Sequence, residues 1–133
     1  MKSNSKLYNM QTIAVNENKK KFIYSDYFKI KFNKQFDGII TDIPYKGSIP
    51  NKLGEDRFSF ESFLKKTEKE TKENAFLITF TNFLCAADLI AVSKKTKWKY
   101  HTHQIWDKQP TRTWVSWGHP LRHTEYIIYF KKG

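Results

Sequence analysis

Short, strongly apolar runs alternate with longer amphipathic stretches along most of this chain. Residues 22–24 form a short strand candidate. Residues 36–41 and 75–80 are almost continuously apolar, as expected of parallel strands covered on both faces. Residues 97–106 alternate in polarity, and residues 124–130 are rich in β-branched and aromatic side chains. These two segments are predicted as the last two strands.

The first predicted helix follows Ser59, a suitable N-cap residue. Phe60, Phe63 and Leu64 have the i, i+3, i+4 spacing of one apolar helix face, and residues 65–73 continue it as a charged face.

A second helix is predicted from an N-cap at Asn82 to about Ser93. Its apolar side is expected to hold five residues, Phe83, Ala86, Ala87, Ile90 and Ala91. In the strand that follows, simple alternation places Trp98, Tyr100, Thr102 and Gln104 on one face and His101, His103 and Ile105 on the other.

This order of elements predicts an α/β fold with a sheet that is mostly parallel with an antiparallel end and that carries helices on its faces. Residues 1–21 are polar and are expected to be partly mobile. Residues 22–133 are expected to form a single α/β domain.

The composition of the chain indicates which kinds of molecule it could bind. The 133 residues carry a formal net charge of +11, which favours a polyanion such as nucleic acid, although a lysine-rich composition also arises in AT-rich genomes. No apolar run is long enough to cross a bilayer, and the polar N-terminus is unlike a signal peptide. Cys85 is the only cysteine, so a cytoplasmic location is expected.

The strand at residues 36–41 runs directly into Asp42-Ile43-Pro44-Tyr45. Ligands of open α/β sheets bind beyond the carboxyl ends of the strands. An exocyclic amine is activated when a carboxylate and a main-chain carbonyl each accept one of its N–H bonds, and an aromatic ring stacks on a base swung out of a duplex. Asp42, the Ile43 carbonyl, Pro44 and Tyr45 would supply these parts.

Residues 36–45 resemble the Asp-Pro-Pro-Tyr segment of DNA N6-adenine and N4-cytosine methyltransferases. Residues 105–108 (Ile-Trp-Asp-Lys) resemble the Trp-x-Lys strand end of that family, and residues 122–132 resemble its Arg-x-x-Glu strand with the basic segment after it. The likeness runs from about residue 22 to the end of the sequence. The aspartate at the first motif position favours adenine over cytosine.

The resemblance implies that the α/β fold is a partial Rossmann-like methyltransferase sheet. It also implies an S-adenosylmethionine-dependent enzyme that methylates adenine N6 in double-stranded DNA. It also implies that Asp26, at the end of the preceding strand, lies near the cofactor's adenosine. Two departures matter, because the second motif position is Ile43 rather than proline and no Phe-x-Gly-x-Gly segment is present to hold the cofactor.

The missing glycine segment leaves three explanations. The sequence is part of a longer enzyme, or it is one half of a split enzyme whose partner subunit carries the cofactor motif, or it is a non-catalytic DNA-binding or regulatory module derived from such an enzyme. Methylation of RNA or of a protein amide is a further alternative, because related motifs serve those substrates.

The segment between the last two strands is rich in aromatic and cationic side chains, which suit stacking on bases and contacts with phosphate. The expected nucleic-acid-binding residues are Lys46, Lys108, Arg112, Trp114, Trp117 and Arg122. The alternative for the two tryptophans is a core or protein interface. Trp106 is expected to pack at its strand end. His101 and His103 have the spacing of a shared metal site, but hydrogen-bonding roles are favoured, and no metal is expected.

Overall fold

The computed structural model describes residues 11–15, 20–44, 58–108 and 124–133. The chain divides into two compact units, Met1–Asn33 and Lys34–Gly133.

The first unit contains an antiparallel pair of strands, β1 (Gln11–Val15) and β2 (Lys20–Tyr24). A short 3-10 helix follows at Tyr27–Lys29. The strand predicted at residues 22–24 is therefore confirmed. Its partner β1 lies in a segment for which the sequence indicated only a polar character.

The second unit is a four-stranded mixed sheet with two helices, and its order confirms the predicted α/β fold. Its elements are β3 (Phe36–Asp42), α1 (Phe60–Glu70), β4 (Thr71–Thr81), α2 (Phe83–Ser93), β5 (Trp98–Asp107) and β6 (Thr124–Lys132). In the sheet, β3 pairs with β4 in parallel, and β6 inserts antiparallel between β4 and β5.

Both helix starts lie where the sequence placed them. The Ser59 side chain accepts a hydrogen bond from the main-chain N–H of Ser62 at 3.2 Å, and Asn82 does the same for Cys85 at 2.9 Å. The predicted charged helix face at residues 65–73 extends too far, because α1 ends at Glu70 and β4 begins at the next residue. No helix in the described part of the chain is long and apolar enough to span a membrane.

The apolar side predicted for α2 was wrong in most of its members. The residues that α2 buries are Cys85, Ala86, Leu89 and Ser93, while Phe83 is 64% exposed. The helix is apolar on nearly every side, so its sequence contains no clear stripe that indicates which side meets the sheet.

One face of the sheet, the helix face, is covered by α1 and α2. The buried residues of the helix face include Leu77, Thr79, Trp98, Ile128 and Phe130. The indole Nε1 of Trp98 donates to the main-chain carbonyl of Leu64 in α1 at 3.2 Å. The start of α2 reaches the same face, because the Phe83 ring lies 5.8 Å from that of Tyr126. The core of the unit therefore lies between this face and the two helices.

The opposite face, here named the Ile78 face, carries the alternate residues of the same strands. Strand register places seven large apolar side chains on it, Ile40, Phe76, Ile78, Phe80, Trp106, Ile127 and Tyr129. None of these seven is buried. Among the described residues, neither helix packs on this face.

The expectation that β3 is covered on both faces was wrong for the described structure. β3 is a terminal strand of the sheet, and Ile40 on the Ile78 face is 72% exposed. Its apolar sequence nevertheless has the character of a central strand.

The simple alternation predicted for residues 97–106 was also wrong, because the register of β5 shifts between Tyr100 and Thr102. His101 lies on the Ile78 face, where its ring lies 5.8 Å from that of Phe76, and the extra residue reverses the faces of the residues that follow it. His103 instead lies on the helix face with Tyr100.

Candidate functional site

The site predicted from the motif lies at one edge of the sheet, where the carboxyl ends of β3 and β4 meet. β5 ends and β6 begins at the same edge because β6 is antiparallel to both of its neighbours. The segments that follow Pro44 and Lys108 both attach here. This is the edge at which open α/β sheets bind ligands.

Asp42 is the last residue of β3 and is exposed. Its partner in register is Phe80 on β4, so the two residues are neighbours across about 5 Å on the Ile78 face. Phe80 is half-buried, and its ring lies 6.2 Å from that of Trp106 in a T-shaped arrangement. A carboxylate that is open to solvent therefore lies beside an aromatic pair.

Ile43 and Pro44 complete the described part of the motif. Ile43 is buried with 3% exposure, and Pro44 is half-buried. Burying the Ile43 side chain anchors the turn after β3, which helps to hold the neighbouring main chain in place although proline is absent at this position. Tyr45 lies outside the described residues.

Trp106 and Lys108 form a second cluster at this edge. The expected packing of Trp106 holds only in part, because its ring contacts Phe80 but remains 47% exposed. The Lys108 ammonium lies 5.2 Å from the centre of the Trp106 ring and forms an ion pair with Glu125 on β6. Lys108 is therefore held by two neighbours at the motif edge.

The other residues expected to bind nucleic acid lie outside the described residues. They are Lys46, Arg112, Trp114, Trp117 and Arg122. Their roles remain predictions, as do the stacking role of Tyr45 and the phosphate role of Lys108.

Asp26 has a structural role in the first unit. Its carboxylate accepts a hydrogen bond from the main-chain N–H of Phe28 at 3.0 Å and caps the short 3-10 helix. A role of Asp26 toward the cofactor remains a prediction.

The two histidines do not share a site. His101 contacts Phe76 on the Ile78 face, whereas the Nδ1 atom of His103 is 2.6 Å from the Tyr100 hydroxyl on the helix face. Among the described residues, no cluster of three metal-ligating side chains is present.

Two carboxylates outside the motif have a lowered pKa. The ammonium of Lys72, which donates to Asp37 at 2.6 Å, lowers the pKa of that carboxyl at the start of β3. Hydrogen bonds from Lys65 and Lys95 lower the pKa of Glu61 to about 2. Asp37 lies at the end of β3 that is opposite the motif, and Glu61 lies in the first turn of α1.

Phe80 and Glu125 belong to the site but were not predicted as members of it. Both are brought to the motif edge by strand register, Phe80 beside Asp42 and Glu125 opposite Trp106. Nothing in their local sequence indicates these pairings, because they depend on which strands are neighbours.

No family model matches the chain, and neither does any curated protein. The described fold is similar to that of solved methyltransferases. The crystal structure of the M1.HpyAVI–SAM complex (SAM, S-adenosylmethionine) has a TM-score of 0.58 at 15% identity, covering 75% of this chain and 45% of that one. A crystal structure of M1.HpyAVI has a TM-score of 0.59 at 16% identity, covering 75% of this chain and 46% of that one.

A putative methyltransferase from Thermoplasma acidophilum matches with a TM-score of 0.56 at 16% identity, covering 81% of this chain and 43% of that one. The chain therefore has a Rossmann-like methyltransferase fold and spans less than half the length of these solved structures.

The described residues do not fit a complete SAM site. Of the five glycines in the sequence, the described ones are Gly38, within β3, and Gly133, after β6, so neither lies in a turn that follows a strand at the motif edge. The Asp26 carboxylate is engaged by the 3-10 helix.

Proposed function

We propose that this chain forms the target-base half of a SAM-dependent DNA methyltransferase that modifies adenine N6. The observation that supports this most strongly is the position of Asp42, Ile43 and Pro44, directly after a parallel strand and at the ligand-binding edge of a methyltransferase fold.

The residues of this chain would bind and orient a base that has left the duplex. The Asp42 carboxylate and the Ile43 carbonyl would each accept one N–H bond of the adenine amino group, and Tyr45 would stack on the ring. Directing both N–H bonds to fixed acceptors turns the nitrogen lone pair out of the ring plane, where it becomes nucleophilic. A net charge of +11 favours the approach of the DNA backbone.

The test uses a duplex that keeps adenine at the target position and carries 2-aminopurine as its neighbour in the same strand, because the fluorescence of 2-aminopurine rises when the base stacked on it leaves the duplex. We expect the chain to raise the fluorescence, and we expect Asp42→Ala to abolish the rise while leaving the fold and the overall duplex affinity unchanged. Asp37→Ala is the matched control, because Asp37 is an exposed carboxylate at the opposite end of the same strand. A full fluorescence rise in Asp42→Ala would remove Asp42 from the site.

A second candidate function is a non-catalytic DNA-binding or regulatory module, and the absence of a cofactor glycine segment from the sequence favours it. A methylation assay that incubates the protein with duplex DNA and tritium-labelled SAM separates the two functions. N6-methyladenine among the digested nucleosides would support the enzyme, and duplex binding without any label would support the module.

A further inference from the structure

The two acceptors of the proposed site recognise an amino group but not the ring that carries it. The Asp42 carboxylate and the Ile43 carbonyl would accept the two N–H bonds of adenine N6, and the N4 amino group of cytosine presents the same two bonds. Hydrogen bonds to these acceptors therefore do not separate a purine from a pyrimidine. The size of the ring has to be recognised by side chains that lie beside Asp42.

Phe80 is placed to contact that ring. It is the register partner of Asp42 on the neighbouring strand β4, and both residues lie on the Ile78 face. Strand spacing puts their main chains about 5 Å apart, so a base whose amino group is held at Asp42 has Phe80 within reach of its ring. A purine covers more of an aromatic side chain than a pyrimidine does, and stacking therefore stabilises the purine more.

Trp106 fixes the position of the Phe80 ring. The two rings form a T-shaped contact, with 6.2 Å between their centres and 75° between their planes, and are here named the Phe80–Trp106 pair. Because β6 lies between the strands that carry them, the pair extends over two strand spacings, about 10 Å. A surface of this width accommodates both rings of a purine.

The charges beside the Phe80–Trp106 pair suit the ring of a base better than a phosphate. Asp42 presents an exposed carboxylate, and the Lys108 ammonium near Trp106 is already paired with the carboxylate of Glu125. Negative charge at Asp42 repels a phosphate placed on the pair, whereas it attracts an amino group. The pair therefore fits a base that carries an amino group.

We propose that Phe80 is the specificity-determining residue of this site, which selects adenine over cytosine by stacking on the purine, and that Trp106 is a positioning residue that holds the Phe80 ring. The proposal rests on the proposed function and deepens it, because it names the side chains that recognise ring size at the same site.

The experiment compares two duplexes that differ at one position, which holds adenine in one and cytosine in the other. In both duplexes this base lies opposite an abasic site, so no base pair has to break and the base leaves the stack readily. A 2-aminopurine neighbour in the same strand reports its departure. The concentration of the chain at half-maximal signal is measured with each duplex, and the cytosine value divided by the adenine value is the selectivity ratio.

We expect the selectivity ratio of the wild type to be at least about fivefold, because stacking of a base on an aromatic ring contributes on this scale. Phe80→Leu keeps an apolar side chain but removes the ring, so it should bring the ratio close to one by weakening the adenine complex alone. Trp106→Leu should lower the ratio in the same direction, because the Phe80 ring loses its support.

Phe76→Leu is the matched control. Phe76 is also a partly exposed phenylalanine on the Ile78 face of β4, but its register partner on β3 is Gly38 rather than Asp42. This variant should keep the wild-type ratio. Far-ultraviolet circular dichroism verifies that each variant is folded.

Three results would overturn the proposal: a wild-type ratio near one, a wild-type ratio in Phe80→Leu, or an equal loss of the ratio in Phe76→Leu. Asp42→Ala separates these results from failure of the proposed function, because it should weaken the signal with both duplexes alike. Unchanged signals in Asp42→Ala would refute the base site itself. A full effect of Asp42→Ala together with an unchanged ratio in Phe80→Leu would refute only the role of Phe80.

Discussion

The ammonium of Lys132 donates to the main-chain carbonyl of Thr71 at 2.6 Å and is only 4% exposed. It also donates to the carbonyl of Glu68 at 2.8 Å, so one lysine on β6 satisfies two carbonyls at the end of α1. A cation at the C-terminus of a helix also interacts favourably with the helix dipole. Lys132 thereby links the last strand to the junction between α1 and β4.

We expect Lys132→Met to lower the free energy of unfolding by about 2 kcal/mol, because it leaves the buried Thr71 carbonyl and the part-buried Glu68 carbonyl without a charged donor. Lys131→Met is the control on the same strand. The Lys131 ammonium points to the other face, 6.0 Å from the Phe76 ring, and its loss should cost less than about 1 kcal/mol. Urea denaturation measures both values, and equal losses would contradict the linking role of Lys132.

Trp98 provides a second link between the sheet and α1. Its Nε1 atom donates to the Thr67 hydroxyl at 3.1 Å as well as to the Leu64 carbonyl, and the residue is 1% exposed. Trp98→Phe should cost about 2 kcal/mol, from the lost hydrogen bonds and from the cavity left by the smaller ring.

A double-mutant cycle with Thr67→Val tests the contact directly. We expect a coupling energy of about 0.5–1 kcal/mol in chemical denaturation, because the two side chains share one hydrogen bond. Additive losses would show that Trp98 acts through packing and the Leu64 carbonyl alone.

The pH dependence of stability should depend on Glu61. Lys65 and Lys95 lower its pKa from an ordinary value near 4.5 to about 2 in the folded chain. A carboxylate with a lowered folded pKa contributes stability that is fully present above its unfolded pKa and is lost as the pH falls through the folded value. Thermal unfolding of the wild type should therefore lose this contribution between pH 4.5 and 2.

Glu61→Gln should remove that part of the acid dependence and leave the rest of the curve parallel to the wild type. An identical acid profile for the wild type and Glu61→Gln would contradict the assignment.

Both helix caps should contribute measurably to stability. Ser59→Ala and Asn82→Ala each remove a side-chain acceptor from a first-turn N–H and should each cost about 1 kcal/mol. Ser62→Ala is the matched control, because it deletes an exposed hydroxyl one turn into α1 and should change stability by less than about 0.5 kcal/mol. Equal effects of Ser59→Ala and Ser62→Ala would show that the Ser59 cap is not formed in solution.

The caps also show which part of the fold the sequence predicts. Ser59, Asn82 and the spacing of Phe60, Phe63 and Leu64 are local signals, and the structure confirms each of them. The buried side of α2 was wrong because almost every residue of that helix is apolar, so its orientation is decided by packing against the sheet rather than by periodicity.

Non-local relationships could not be obtained in this way. The shift between Tyr100 and Thr102 adds one residue to β5 and reverses the face of everything after it, although the local sequence alternates without a break. In the site, Asp42 was predicted from its sequence motif. Phe80 and Glu125 lie beside the motif only because of the strand register, which the local sequence does not indicate. The exposed position of Ile40 was not predicted from its apolar neighbourhood, because it depends on β3 being the terminal strand of the described sheet.

Lys108 lies at the motif edge and is expected to bind DNA phosphate. Its ammonium is paired with Glu125 and lies over Trp106, so a phosphate must compete with that carboxylate. Lys108→Met should lower duplex affinity at all sequences and reduce the slope of log affinity against log salt concentration by about 1. Glu125→Gln should act in the opposite direction, because it removes the competing charge.

Fluorescence anisotropy across a range of salt concentrations measures both slopes. Lys99→Met is the control, because Lys99 lies at the other end of β5, far from the motif edge. If Lys108→Met kept the wild-type slope while Glu125→Gln and Trp106→Phe altered stability, Lys108 would hold the Trp106 ring in place rather than contact phosphate. If the slope fell in Lys108→Met and not in Lys99→Met, the DNA backbone would pass along the edge where Asp42 lies.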